Sequence, residues 1–115
     1  MSEAEQGPET EARDLTAFQK NILAILAQEP MYGLAIKGEL EEYYGEEVNH
    51  GRLYPNLDDL VEQGLVEKSA LDKRTNQYAL TDRGVDALTA DLSWMLSRFV
   101  TEEERAARIR EVIDG

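Results

Sequence analysis

The stretch Asn49-His50-Gly51-Arg52-Leu53-Tyr54-Pro55-Asn56-Leu57-Asp58-Asp59-Leu60-Val61-Glu62-Gln63-Gly64-Leu65-Val66 runs from a polar first turn, through an amphipathic body, to a glycine stop and an apolar strand start. Asn49 is a good helix cap, and Gly64 supplies the left-handed residue that ends helices. Leu53, Leu57, Leu60 and Val61 recur at helical spacing, so one side of a helix over about His50–Gln63 faces a core. Pro55 interrupts this pattern. A proline beyond the first turn deletes a helical hydrogen bond and crowds the carbonyl four residues back, here Gly51. The helix therefore starts nearer Arg52 or bends at Pro55, and either way its N-terminal end is set apart from its body.

Upstream, Thr16-Ala17-Phe18-Gln19 fits a capping box, followed by Phe18, Ile22, Ile25 and Leu26 on one helical face to about Gln28, with Pro30 beyond. Gly33 to Tyr44 reads as a second helix stopped by Gly45, with Leu34, Ile36, Leu40, Tyr43 and Tyr44 as its apolar contacts. Downstream, Leu65–Lys68 and Gln77–Leu80 read as two short strands around the polar turn Asp72-Lys73-Arg74-Thr75-Asn76. Thr81-Asp82-Arg83-Gly84 then opens a long helix. Its Val85, Leu88, Leu92, Met95 and Phe99 alternate by three and four residues, and Leu96 and Trp94 widen the stripe. That spacing is the seam of a helix with a partner helix. Thr101-Glu102-Glu103-Glu104 fits another capping box before a last helix carrying Ala106, Ile109, Val112 and Ile113. Two helices, a turn-separated third helix and a hairpin make a winged helix-turn-helix. The expected fold is thus mainly α with a small β-hairpin, a winged helix-turn-helix plus C-terminal dimerisation helices. The expected organisation is an acidic, disordered arm at 1–14, a winged-helix domain at 15–83 and dimerisation helices at 84–115.

The 115 residues suffice for one domain. Twenty-four acidic against twelve basic residues give a net charge of −12, and the arm contributes a third of it. Only four of the basic residues are lysine: Lys20, Lys37, Lys68 and Lys73. A lysine-poor, carboxylate-rich surface suits molar salt, where carboxylates hold water and cations. The sequence has no cysteine, which removes disulfides, thiolate metal sites and thiol switches. No apolar run approaches a membrane span and no signal pattern opens the chain, so a soluble, cytoplasmic protein is expected.

Residue types on the third helix suit major-groove edges, since Arg bonds guanine bidentately and Asn bonds adenine. Asn49, His50, Arg52 and Asn56 are the candidates. Against this, Asn49 has a cap to make, and His50 and Asn56 could be merely solvated. Tyr54 reaches a phosphate through its hydroxyl or else belongs to the core beside Leu53 and Leu57. At the wing, Lys73, Arg74 and Asn76 suit the DNA backbone, or form a plain solvated hairpin tip. Lys20 on the first helix, and Tyr32 and Lys37 at the second, are candidates for flanking phosphates. Val85, Leu88, Leu92, Met95, Leu96 and Phe99 are the candidate dimer seam. Adjacent acids such as Glu41-Glu42, Asp58-Asp59 and Glu102-Glu103-Glu104 have no nucleophile or ligand set around them, and the single histidine supports no metal site or catalytic dyad. An enzyme is not expected, and no cofactor beyond bound monovalent cations such as potassium.

With these residues in view, the chain resembles PadR-type transcriptional regulators, and within them a haloarchaeal branch. The resemblance is carried by Met31-Tyr32-Gly33, by Gly51-Arg52-Leu53-Tyr54-Pro55-Asn56-Leu57, by Leu60 and Gly64-Leu65-Val66, and by Tyr78-Ala79-Leu80-Thr81-Asp82-Arg83-Gly84, over about residues 15–90. It implies a winged-helix homodimer joined by its C-terminal helices, bound to double-stranded DNA at a palindromic operator and responsive to stress. Without cysteine, an oxidative signal would have to act through methionine oxidation, an ion or ligand, or another protein. Two departures stand out: Asp58 and Asp59 replace the basic residues that many relatives carry, and the wing turn lacks the usual Gly-Arg pair. The acids on this helix suggest that Asp58, Asp59 and Glu62 accommodate cations shared with DNA phosphates, so that some ions are taken up on binding. The alternative function is a winged-helix protein-interaction module that presents its acidic surface to a basic partner.

Overall fold

The computed structural model describes residues 14–115, and apart from Asp14 the expected N-terminal arm lies outside them. In chain order the elements are α1 (Ala17–Leu26), β1 (Met31–Tyr32), α2 (Gly33–Tyr44), α3 (His50–Glu62), β2 (Val66–Ala70), β3 (Asn76–Leu80), α4 (Asp82–Phe99) and α5 (Glu103–Asp114). Thr16 caps α1 through the capping box that its sequence announces: Gln19 N donates to Thr16 Oγ1 (3.1 Å) and Thr16 N to Gln19 Oε1 (3.2 Å). Asn49 Oδ1 accepts from Arg52 N at 2.8 Å and caps α3. Thr81 Oγ1 accepts from Gly84 N (3.0 Å) to cap α4 and donates to Gly64 O (2.7 Å), which ties the start of α4 to the end of α3.

Around these caps, Phe18, Ile22, Leu23 and Leu26 of α1, Ile36 and Leu40 of α2, and Leu53, Leu57 and Leu60 of α3 form the core with Leu65, Val66, Tyr78 and Ala87. The hairpin closes it from the side, with strand order β1-β3-β2 and antiparallel pairs such as Met31 with Tyr78 and Lys68 with Tyr78. Two glycines are set by packing. A Cβ on Gly33 would lie 2.5 Å from Tyr54 Oη, and one on Gly84 would strike the carbonyl oxygen of Leu65. Gly45 and Gly64 have φ of 73° and 80°, the left-handed geometry that ends α2 and α3.

Several expectations are corrected. The sheet has a third strand, β1, which two residues are too few to announce by alternation. Leu34 and Tyr43 are 67% and 71% exposed instead of supplying core contacts, because the buried face of α2 is Gly33, Ile36 and Leu40. α3 begins at His50 after its Asn49 cap, as the cap and the apolar spacing predict, and runs through Pro55, which excludes the alternative start at Arg52. The last helix is capped by Glu102 with no side-chain bond, so the box expected at Thr101 does not form. Arg105 accounts for this. Its Nη1 donates to Phe99 O (3.1 Å) and Thr101 Oγ1 (3.4 Å), so Thr101 serves the end of α4 instead.

Candidate nucleic-acid interface

α3 presents three different surfaces besides its core side. On the flank toward α1, the Arg52 guanidinium lies 4.0 Å from the centroid of the Phe18 ring and 5.8 Å from that of Tyr44. The attraction is to the ring faces, and the Arg52 side chain makes no hydrogen bond or ion pair among the described residues, so its N–H donors are not consumed. Asn56 follows one turn on; its Nδ2 donates to Arg52 O (2.7 Å) and its Oδ1 accepts from Gln19 Nε2 (3.1 Å). Asp59 Oδ2 accepts from Gln19 Nε2 (2.8 Å) and from Gln63 Nε2 (3.0 Å). On the opposite flank His50 stacks on Tyr54 with ring centroids 5.7 Å apart and planes 13° from parallel. Between the flanks, Gly51, Pro55, Asp58 and Glu62 recur by four, three and four residues and are all exposed. The outermost ridge of α3 is therefore slender at its N-terminal half and acidic at its C-terminal half.

His50 and Tyr54 form one wall of an open cavity of about 580 Å³, with Tyr32 and Gly33 at the start of α2 and Leu71, Arg74 and Asn76 at the wing. Tyr78 lies among the lining residues, and burial raises its phenol above the usual range, so it stays protonated. The cavity gathers five of the candidate residues: His50, Tyr54, Tyr32, Arg74 and Asn76. Tyr54 reconciles its two readings, with a half-buried ring packed against the core and a hydroxyl beside Gly33. α2 opens here with Tyr32 as its cap residue, no side-chain cap and no acidic group in its first turn. The Arg74 guanidinium shares the rim with the Asp72 carboxylate, so the cavity carries both signs of charge, and α2 brings its uncapped N-terminal end to the same rim.

The wing turn is held by Asp72. Its Oδ1 accepts from Arg74 N at 2.8 Å, and Leu71 N donates to Thr75 O at 2.9 Å. The Arg74 amide, then the Thr75 side chain, hold the Asp72 carboxyl below the usual carboxylate range. The turn thus displays Lys73 and Arg74, whose side chains have no ion-pair partner among the described residues. The other two lysine candidates are committed within the chain: Lys20 Nζ lies 3.1 Å from Asp91 Oδ1, and Lys37 Nζ 2.7 Å from Glu41 Oε2. Glu41 also accepts from Val48 N (3.0 Å), so this pair braces the turn before α3. The Lys37 hydrogen bond first, then that of Val48, lower the Glu41 pKa, while the same bond raises that of Lys37. Asn49, similarly, has its side-chain oxygen taken by the cap.

Sequence reading missed two contributors. Gln19 is legible only as a capping-box residue, because Asn56 and Asp59 lie 37 and 40 positions away. Leu71 is half-exposed at the wing, where the expected turn began one residue later.

A helix-turn-helix with its third helix flanked by a hairpin defines the winged helix-turn-helix class. The chain belongs to the PadR-like family of transcriptional regulators, which it matches over residues 22–90. Among solved structures it is similar to RosR of H. salinarum grown from NaBr, at 69% identity over 90% of this chain and 94% of that one, with a TM-score of 0.87. The complex structure of hsRosR-S4 aligns at 66% identity over 93% of each chain, with a TM-score of 0.90. Bacillus subtilis PadR in complex with operator DNA shares the fold, at 24% identity, 67% of this chain, 48% of that one and a TM-score of 0.57. No curated protein sequence matches the chain.

Proposed function

We propose that this protein is a homodimeric, sequence-specific DNA-binding regulator in which α3 enters the major groove and the wing follows the adjacent backbone. The carrying observation is the cavity between α3, the start of α2 and the wing, where Tyr32, Tyr54, Arg74 and Asn76 meet. The exposed Lys73 and Arg74 of the wing suit a phosphate strand, while the slender Gly51–Pro55 half of α3 allows close approach to base edges. Arg52 is oriented by Phe18 toward base or phosphate. B. subtilis PadR, solved in complex with operator DNA, supports the assignment of this fold to DNA.

Dimerisation through α4 is supported by Val85, Leu92, Met95, Leu96 and Phe99, all 37–55% exposed along one helix, with Trp94 beside them. Leu88 is the exception, since it packs against the chain's own core. A dimer of this kind places two α3 helices against a palindromic operator. The acidic surface fits a high-salt cytoplasm; no helix among the described residues is long and apolar enough to cross a membrane. In that setting, the exposed carboxylates Asp58 and Glu62 share monovalent cations such as potassium with the phosphates. Asp59 has one oxygen engaged by Gln19 and Gln63, and Asp58 lies 3.8 Å from Lys68 Nζ, so both contribute less than Glu62. A role in stress rests on the haloarchaeal resemblance, with a signal that does not use thiols.

The test is electrophoretic mobility and footprinting of the protein on its own promoter. A protected palindrome is expected; protection of no defined sequence would favour the protein-interaction module instead.

A further inference from the structure

Gln19 is the one buried polar side chain among the described residues, at 6% exposure. A capping box uses only its Oε1, which accepts from Thr16 N. Both remaining protons are also assigned, one to Asn56 Oδ1 and one to Asp59 Oδ2. The orientation is forced: a carboxylate only accepts, so the atom facing Asp59 must be the amide nitrogen, and the atom facing the Thr16 N–H must be the oxygen. Asn56 is fixed in turn, with oxygen toward Gln19 and nitrogen toward Arg52 O.

Asn56 and Asp59 lie three residues apart on the flank of α3 that carries Arg52. Leu53, Leu57 and Leu60 hold α3 to the core by apolar contacts, which are non-directional and tolerate a small roll of the helix about its axis. A roll would carry Arg52 off Phe18 and sweep the Gly51–Pro55 ridge across the groove. Two hydrogen bonds from one buried amide remove that freedom. We propose that Gln19 is a positioning residue for DNA reading, locking the roll of α3 on α1 by donating to Asn56 and Asp59. The inference rests on the DNA-reading function proposed above and concerns a residue outside the contact surface.

The test compares the full chain with Gln19→Met, Gln19→Glu and the double variant Gln19→Glu/Asp59→Asn. Gln19→Glu keeps the oxygen that caps α1 but loses both donors, whereas the double variant reverses donor and acceptor between positions 19 and 59 at unchanged net charge and leaves the bond to Asn56 unmade. Two readouts are taken: the NMR ring-current shift of the Arg52 side chain over Phe18 in free protein, and the affinity ratio for promoter against scrambled duplex. Met and Glu at position 19 should shrink the ring-current shift and lower the ratio about tenfold, the effect of roughly one net charge-assisted hydrogen bond. The double variant should recover part of both, since the bond to Asn56 stays lost. A ring-current shift that persists in Gln19→Met and Gln19→Glu, or a double variant no better than Gln19→Glu alone, would overturn the proposal. Absence of selectivity in the unaltered chain would instead sink the DNA reading, with the ring-current readout still deciding whether Gln19 sets the roll.

Discussion

Arg52 illustrates how much one side chain's surroundings decide. Its guanidinium lies over the Phe18 ring at the surface and makes no ion pair among the described residues, so replacing it removes a donor at little structural cost. Arg52→Ala should weaken operator binding by about 1–3 kcal/mol while changing stability by less than about 1 kcal/mol; anisotropy and a thermal melt measured on the same preparation check both. The two packed glycines should separate function from stability. Gly33→Ala presses on the Tyr54 ring, which can swing away and disturb the His50 stack, so DNA affinity falls more than stability. Gly84→Ala presses on the backbone of Leu65, which cannot yield, and should cost about 1–3 kcal/mol in a denaturant titration. At the wing, the depressed Asp72 carboxyl stabilises the turn above its unfolded pKa, and that contribution is lost as pH falls through the lower folded value. The Arg74 amide resonance should therefore stay in place from neutral pH down through the ordinary carboxylate range and shift only below it. Movement at higher pH would contradict the Asp72 contact. The Thr16 and Asn49 caps, the glycine stops at Gly45 and Gly64 and the α3 core residues were legible in the sequence because each depends on neighbours within a turn, whereas the box at Thr101 gave way to the bond from Arg105. The engagement of Lys20 by Asp91 and of Asn56 by Gln19 was not, because those partners are set by tertiary packing.

At the level of elements, the winged helix and the α4–α5 arm differ in how they are held. α4 buries only Gly84 and Ala87, and α5 buries nothing. Period-three-and-four spacing revealed the apolar stripe of α4 but could not say which members face the chain's own core; the structure assigns Leu88 there and leaves its neighbours outward. Arg105 joins the two helices, capping the Phe99 carbonyl while its guanidinium lies 5.1 Å from the Phe99 ring centroid. If α4 is the dimer seam, Met95→Glu introduces two like charges into its apolar centre. Sedimentation should then report a monomer that retains its helical circular dichroism, whereas an unchanged dimer would place the interface elsewhere. β1 shows the opposite limit of legibility: it exists only because β3 offers it an edge, through Met31–Tyr78 and Tyr32–Gln77.

The whole molecule has a radius of gyration of 15.8 Å, against about 13 Å for a compact domain of roughly 100 residues. The excess fits α4 and α5, which bury little against the winged helix. The net charge of −12 acts at the same scale. If few cationic side chains neutralise phosphates, with Lys20 and Lys37 already paired within the chain, little is gained from releasing counterions, which otherwise makes affinity fall steeply with salt. Base-edge contacts, DNA shape and bridging water must then carry more of the binding. If Asp58 and Glu62 share cations with phosphates, Asp58→Asn/Glu62→Gln should steepen the loss of affinity with added KCl, and an unaltered slope would exclude that role. The most direct test of the central claim is fluorescence anisotropy of the intact protein with its promoter and with a scrambled duplex, from low to molar KCl. Selective binding that persists into molar KCl is predicted; unselective binding that disappears as salt is added would contradict it.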